Sequence, residues 1–156
     1  MVIRLLAAGT RPPAWISNGY NEYAKRISDG CRLELVEIPV EKRARSSNTA
    51  RALEKEGARM LAAIPKGAHV IALELAGQAW STGALAAQIE KWRSNHSQVC
   101  LMVGGPDGLS DACVERANQQ WSLSNMTFPH MLVRILVAEQ LYRAWSYSRG
   151  HPYHSE

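Results

Sequence analysis

Short apolar runs alternate with segments of helical periodicity along the whole chain, and this alternation limits the fold more than any other feature of the sequence. Strands that alternate with helices pack as a mostly parallel sheet with helices on both faces. We therefore expect an α/β protein. The apolar runs predict five strands, over Val2–Ala8, Leu33–Ile38, His69–Leu75, Val99–Val103 and Trp121–Leu123.

Apolar side chains between these runs recur at the spacing of helices that bury one face. The chain has 156 residues, close to the common size of one domain, and no repeat or linker divides it. We therefore expect a single domain over residues 1–156. The predicted helices cover Pro13–Ile27, a segment capped by Asn48, a segment from about Thr82, a short segment capped by Ser110, and a long final segment from Pro129.

The positive charge of the chain is concentrated in its first half. Residues 1–67 carry twelve Lys and Arg against seven Asp and Glu, whereas residues 68–156 carry six against seven. The densest cluster is Lys42, Arg43 and Arg45, in a polar segment after the second predicted strand. A solvated turn and a contact with a polyanion both fit such a cluster. The excess over the whole half favours a nucleic-acid partner.

Several classes of protein are disfavoured by the sequence. No apolar run approaches the roughly 20 residues that cross a bilayer, and the first residues lack the pattern of a signal peptide, so we expect a cytoplasmic protein. Cys31, Cys100 and Cys113 form no C-x-x-C pair, which argues against a disulfide framework and a structural zinc site. His151 and His154 offer only two possible metal ligands, and we expect no metal.

Two uncharged or glycine-rich segments follow predicted strands in the second half. Gly104–Gly108 follows the fourth strand, where ligands of open α/β sheets bind, and its glycines allow backbone amides to approach a ligand. It lacks the spacing of a dinucleotide fingerprint and the lysine of a P-loop. Leu123–Phe128 precedes the last helix and offers backbone groups to an uncharged heteroaromatic ring. A tight connection and ordinary loop packing are the alternatives.

The last helix is apolar on every side between Met131 and Ala138, except at Arg134. A helix that is apolar all round is buried all round, either deep in the fold or against a second copy of the chain, and the second is favoured. The tail, residues 150–156, contains Tyr153 and two histidines. A docked, functional tail is therefore expected.

These segments carry a family resemblance that spans essentially the whole chain. The chain resembles the ribosomal RNA large subunit methyltransferase H family, which belongs to the SPOUT class. The motifs are Gly-Gly-Pro-Asp-Gly-Leu-Ser at 104–110, Trp-Ser-Leu-Ser at 121–124, Pro-His at 129–130, Leu-Val-Arg at 132–134, Glu-Gln-Leu-Tyr-Arg-Ala-Trp at 139–145 and His-Pro-Tyr-His at 151–154, with Ala-Ala-Gly-Thr at 7–10, Glu-Ile-Pro at 37–39 and Lys-Glu-Gly at 55–57.

The resemblance implies a SPOUT-type fold, a parallel sheet flanked by helices with a deep trefoil knot in its C-terminal part. Members of the family transfer a methyl group from S-adenosylmethionine to N3 of a pseudouridine (position 1915, helix 69) in 23S ribosomal RNA, on assembled ribosomes and as homodimers. The chain is thus expected to be such a methyltransferase. A non-catalytic ribosome-binding module of the same fold is the competing hypothesis.

The resemblance also implies a cofactor pocket. Its apolar character is expected to survive one departure from the family pattern, since Phe128 stands where Leu is usual. A second departure is Ser155, which replaces a common basic residue and removes one contact of the tail with phosphate. The implied cofactor-binding residues are Leu73, Gly104, Leu123, Ser124, Asn125, Met126, Thr127 and Phe128.

The N3 proton must leave during the reaction, so a base or a cation that stabilises the anionic nucleobase is expected. His154 is the first candidate and Tyr153 a supporting one, both presented to the cofactor of the other subunit; an RNA-positioning tail is the alternative for His154. Arg134 or Arg143 is expected to stabilise negative charge or bind phosphate. The expected RNA contacts are Lys42, Arg43, Arg45 and Arg134.

Overall fold

A computed structural model of the chain describes residues 1–42 and 48–155. Within those residues it contains one five-stranded sheet with strand order β2-β1-β4-β3-β5, in which every pair of neighbours is parallel. The α/β fold with a parallel sheet is confirmed, whereas the trefoil knot stays a prediction. The strands are β1 (Val2–Ala8), β2 (Arg32–Ile38), β3 (His69–Ala79), β4 (Gln98–Val103) and β5 (Gln119–Ser122).

Helices cover both faces of this sheet. Alternate side chains of a strand point to opposite faces, so Leu5 packs into the core that α1, α3 and α5 share, and Leu6 packs into the core beneath α2 and α4. The helices are α1 (Ala14–Ala24), α2 (Thr49–Ala62), α3 (Thr82–Asn95), α4 (Asp111–Arg116) and α5 (His130–Ser148), with a short 3₁₀ helix over Pro152–Ser155.

Side-chain caps fix the starts of α2 and α4, as their sequences predict. The side chain of Asn48 accepts a hydrogen bond from the amide of Arg51 at 3.2 Å, and that of Ser110 accepts one from the amide of Cys113 at 3.3 Å. Each bond satisfies an amide that has no partner within its helix. Both helices therefore begin at the carboxyl edge of the sheet.

The first helix is shorter than its apolar periodicity predicts. It ends at Ala24, and the amide of Ile27 bonds to the carbonyl of Ala24 in a tight turn at 3.2 Å. Ile27 is nevertheless buried in the core. The apolar periodicity of the sequence extends beyond the end of α1 because the turn that follows packs on the same core as the helix.

The last helix, α5, lies between α1 and α3 over one face of the sheet. Val137, Ala138 and Leu141 are buried there. Leu132 and Leu136 are only half-buried in the single chain. The deep core position thus accounts for part of the apolar surface of α5, and the expected contact with a second copy stays a prediction.

A buried ion pair ties α5 to the first two strands. The guanidinium of Arg134 donates to a carboxylate oxygen of Glu37 on β2 at 2.6 Å and to the carbonyl of Gly9 at 2.7 Å. The side chain of Arg134 is 1% exposed, against 33% for that of Glu37. Arg134 was expected to contact RNA, but the structure places its charge inside the protein with protein partners. It holds the fold together rather than presenting a cation at the surface.

Replacement of Glu37 by Ala tests this ion pair. The change leaves the buried charge of Arg134 without its carboxylate, which we expect to lower the free energy of unfolding by about 3 kcal/mol. Glu34→Ala, on the same strand, is the matched control. It removes ion pairs with Arg4 and Arg32 that are partly exposed, worth less than about 1 kcal/mol. Urea unfolding measures both, and equal losses would contradict the assignment.

Candidate active site

A cleft of about 240 Å³ lies beside the middle of β3 and the ends of β4 and β5. The carboxyl edge of a parallel sheet is the usual place for a ligand in open α/β folds. Its walls come from the middle of β3, the turn after β4, the segment after β5 and the first turn of α5. The lining residues are Leu73, Glu74, Leu75, Val103, Gly104, Gly105, Gly108, Leu109, Ser122, Leu123, Ser124, Met126, Thr127, Phe128, His130 and Val133.

The residues expected to bind a cofactor come together in this cleft. Leu73, Gly104 and every residue of the segment Leu123–Phe128 except Asn125 line it. Asn125 belongs to the same segment but is exposed outside the lining. The structure therefore joins three distant segments into one concave surface, and their role in cofactor binding stays a prediction.

An irregularity in β3 shapes one wall of the cleft. Leu73 and Gln78 both pair with Trp121 of β5, so the residues between them leave the regular ladder. Glu74 lies in that bulge and lines the cleft. A Cβ on Gly77 would lie 2.7 Å from the backbone of Trp121, which makes glycine necessary there. Sequence reasoning ended the strand at Leu75, although a glycine inside a strand-like run is a signal of such a bulge.

The turn after β4 forms the floor of the cleft and is closed tightly on itself. A Cβ on Gly104 would lie 2.3 Å from the carbonyl carbon of Gly108, whereas a Cβ on Gly105 would meet nothing closer than Ala8, at 3.5 Å. Gly108 adopts a φ of 78°, which favours glycine. Gly104 is thus required by space and Gly108 by backbone conformation.

The segment after β5 is held by its own serines. The hydroxyl of Ser122 donates to the carbonyl of Ser124 at 3.1 Å, and the hydroxyl of Ser124 accepts from the amide of Met126 at 3.0 Å. The side chain of Met126 is 71% exposed. These local bonds set the shape of the wall and leave a large apolar side chain at its rim.

Two titratable side chains, Glu74 and His130, line the cleft. Partial burial raises the pKa of the Glu74 carboxyl. Desolvation, followed by the charge of Arg134, lowers the pKa of His130 below its ordinary 6.5. His130 is therefore neutral at pH 7. Sequence reasoning assigned neither residue to the site, although His130 stands in the Pro-His motif.

The tail docks on α5 through Tyr153. Its hydroxyl donates to Glu139 at 3.1 Å, and its ring packs against Tyr142 with centroids 4.7 Å apart. Arg143 donates to the same Glu139 oxygen at 2.5 Å, and its guanidinium lies 5.0 Å from the centre of the Tyr153 ring. Burial and the charge of Glu139 raise the pKa of Tyr153, so the phenol remains a donor.

His154 is held with one ring nitrogen facing the backbone. Its Nδ1 is hydrogen-bonded to the carbonyl of His151, which can only accept, so Nδ1 carries the proton. In the neutral ring, Nε2 then carries the free lone pair. The ring meets Tyr147 edge to face at 5.2 Å. This tautomer makes Nε2 of His154 an acceptor.

The tail and the cleft lie at opposite ends of α5. His130 is the first residue of the helix and lines the cleft, whereas Tyr153 packs against Tyr142, twelve residues further along. At a rise of 1.5 Å per residue, these levels are about 18 Å apart. Arg143 and Tyr153 are therefore in contact, and His154 follows Tyr153 in the same tail, but none of the three lines the cleft of its own chain.

Comparison with known proteins decides the family. The profile of the family described as "Predicted SPOUT methyltransferase" matches residues 1–154. The chain belongs to the SPOUT methyltransferase family. Ribosomal RNA large subunit methyltransferase H from Hahella chejuensis (strain KCTC 2396) is 52% identical to it over 156 residues, which cover 100% of both chains. The family resemblance drawn from the motifs is thereby confirmed.

The other predicted residues of this SPOUT methyltransferase have different outcomes. Lys42 is exposed, and Arg43 and Arg45 lie outside the described residues. In residues 1–42 and 48–155, no group of three or more His, Cys, Asp or Glu side chains is arranged to hold a metal ion. The same part of the chain contains no helix long and apolar enough to cross a membrane.

Substitution of Gly104 by Ala tests whether the turn forms the cofactor site of this SPOUT methyltransferase. The added Cβ forces the turn apart, so we expect the affinity for S-adenosylmethionine to fall at least about tenfold, or about 1.4 kcal/mol. Gly83→Ala is the control, because Gly83 lies outside the cleft lining and its Cβ would meet nothing closer than the Tyr147 hydroxyl, at 3.5 Å. Calorimetry on both variants measures the effect, and unchanged binding by Gly104→Ala would place the cofactor elsewhere.

The lowered pKa of His130 predicts a pH dependence of stability. Below pH 6.5 the unfolded chain takes up a proton that folded His130 resists, so the free energy of unfolding falls as the pH drops. His130→Gln removes this contribution. We expect the loss of stability between about pH 7.5 and pH 5.5, measured by urea unfolding, to be smaller in the variant. An equal or larger loss would show that His130 does not resist protonation.

Proposed function

We propose that the chain transfers a methyl group from S-adenosylmethionine to N3 of a pseudouridine in helix 69 of large-subunit ribosomal RNA. The convergence of Leu73, Gly104 and Leu123–Phe128 on one cleft carries this proposal. Membership of a methyltransferase family gives the reaction class. The name of the 52% identical relative supports ribosomal RNA as the substrate. We further propose that the protein is cytoplasmic, acts on the assembled ribosome, and forms one domain over residues 1–156.

The chemistry of the cleft fits this cofactor. Leu73, Phe128 and Val133 provide apolar walls, and among the described residues Glu74 is the one acidic side chain of the lining. No Lys or Arg of residues 1–42 and 48–155 lines the cleft, which suits a ligand without phosphate groups. S-adenosylmethionine has a flat adenine ring, ribose hydroxyls and a positive charge, and it lacks phosphate. Apolar walls suit the adenine ring, and Glu74 suits the cationic or hydroxyl groups.

Catalysis by these residues is mostly a matter of position. The bound cofactor supplies an activated methyl group on its sulfonium. Leu73, Gly104 and the segment after β5 would hold this cofactor, and a fixed orientation of its methyl group toward the nucleophile would lower the barrier by several kcal/mol. The neutral His130 at the wall would add no positive charge to a site for a cationic cofactor.

The position of the tail supports a homodimer. His154 stands at the far end of α5 from the cleft of its own chain, so it reaches a cleft only in a second copy. The half-buried Leu132 and Leu136 on α5 provide apolar surface for that contact. Glu139 fixes Tyr153 and Arg143 and so sets the direction of the tail. Across the dimer, Nε2 of His154 accepts the N3 proton, and Arg143 stabilises the negative charge of the nucleobase.

Methyl transfer to ribosomes that lack this one methyl group tests the function. With radiolabelled S-adenosylmethionine, the label is expected at N3 of the single pseudouridine. Ribosomes already methylated there are the control and should take up no label. Calorimetry that finds no cofactor binding, together with tight ribosome binding, would instead establish the non-catalytic module.

Replacement of His154 by Ala tests the role of the tail. If His154 accepts the proton, single-turnover methylation falls about 100-fold or more, while the affinity for S-adenosylmethionine is unchanged. His96→Ala is the control, because His96 stacks on His69 near the amino edge of the sheet. An unchanged rate would remove His154 from the mechanism. Weaker ribosome binding with an unchanged rate at saturation would show that the tail positions RNA.

A further inference from the structure

A second cleft, of about 320 Å³, lies at the start of α2, outside the candidate active site. Lys42, Arg51 and Lys55 line it, together with Asn48, Ala52 and Glu41. All three cationic residues are exposed. Glu41 is paired with Arg59, one further turn along the helix. The charge that this cleft offers to solvent is therefore positive.

The arrangement of these cations works against the stability of the helix. Arg51 and Lys55 are four residues apart on α2 and so lie on one side of it, where like charges repel. Arg51 stands in the first turn, which holds no acidic residue, and a cation there opposes the helix dipole. Among the described residues, no carboxylate forms an ion pair with Lys42, Arg51 or Lys55. A local arrangement that opposes folding is typical of a functional site.

The cleft lies on the same edge of the sheet as the candidate active site. Val40, two residues before Lys42, approaches the turn after β4, since a Cβ on Gly105 would lie 3.7 Å from its Cγ1. Leu53 of α2 lines a small cavity with Gly104 and Gly108 of that turn. One helix thus contacts the floor of the active-site cleft and carries the cations on its first turns.

We propose that Lys42, Arg51 and Lys55 bind backbone phosphates of the RNA beside the nucleotide that is methylated. The proposal rests on the proposed function for the identity of the RNA, and Arg51 and Lys55 extend the contacts expected from the sequence. Three flexible cations without a planar aromatic partner in the lining recognise charge rather than bases. They hold the RNA strand in register, so that the target nucleotide lies beside the active-site cleft.

The double variant Arg51→Ala/Lys55→Ala tests the proposal in the full chain. Its affinity for assembled ribosomes that lack the methyl group is measured without S-adenosylmethionine over a range of KCl concentrations. Each lost phosphate contact lowers the slope of log affinity against log salt by about 1, so a fall of about 2 is expected. The affinity for S-adenosylmethionine is expected to stay unchanged, because neither residue lines the active-site cleft.

Lys66→Ala/Lys91→Ala is the matched control, because it removes the same charge from exposed residues outside this cleft. Equal losses of slope in both double variants would overturn the proposal, since overall charge would then account for binding. A marked fall in melting temperature of Arg51→Ala/Lys55→Ala would also overturn it, because relief of repulsion should keep or raise that temperature. Wild-type protein that binds the ribosomes but transfers no methyl group would refute the proposed function and leave this proposal intact.

Discussion

The buried guanidinium of Arg134 is the interaction on which the rest of the molecule depends. It joins the end of β1 at Gly9, the β2 carboxylate of Glu37 and the helix that carries it. His130 and Val133, on the first turn of the same helix, line the active-site cleft. One internal charge therefore links the first two strands to the helix that forms one wall of the cleft. A cation this deep in the protein is tolerated because a carboxylate and a carbonyl both face it.

Much of this arrangement can be predicted from the sequence. Short apolar runs such as Val99–Val103 are typical of buried strands when helical segments flank them. Their alternation with helices therefore predicts the parallel sheet. The convergence of Leu73, Gly104 and Leu123–Phe128 follows from the same pattern and the family motifs. Parallel strands present their carboxyl ends on one edge, which brings the segments that follow them together. Caps such as Asn48 were also predictable, because they depend on neighbours only three residues away.

The remainder depends on contacts between distant segments, which local pattern does not contain. The bulge that puts Glu74 into the cleft exists because Gly77 lies against the backbone of Trp121 on another strand. Arg134 interrupts an apolar helix and was expected to contact RNA, since its partner Glu37 lies almost a hundred residues earlier. Likewise, the hydrogen bond from Tyr153 to Glu139 depends on how the tail folds back on α5, which the local sequence pattern does not specify.

The order of strands in the sheet also has a consequence for how the chain reaches its native state. β1 is made first but lies inside the sheet, where Val2 pairs with Gln98 of β4. A ribosome must therefore synthesise the protein beyond residue 98 before its first strand acquires both neighbours. The hydrogen bond from Arg134 to Gly9 forms later still, because Arg134 belongs to α5, the last of the long helices. Contacts of such high sequence separation slow folding, so α5 can dock on Gly9 only after all five strands have been made.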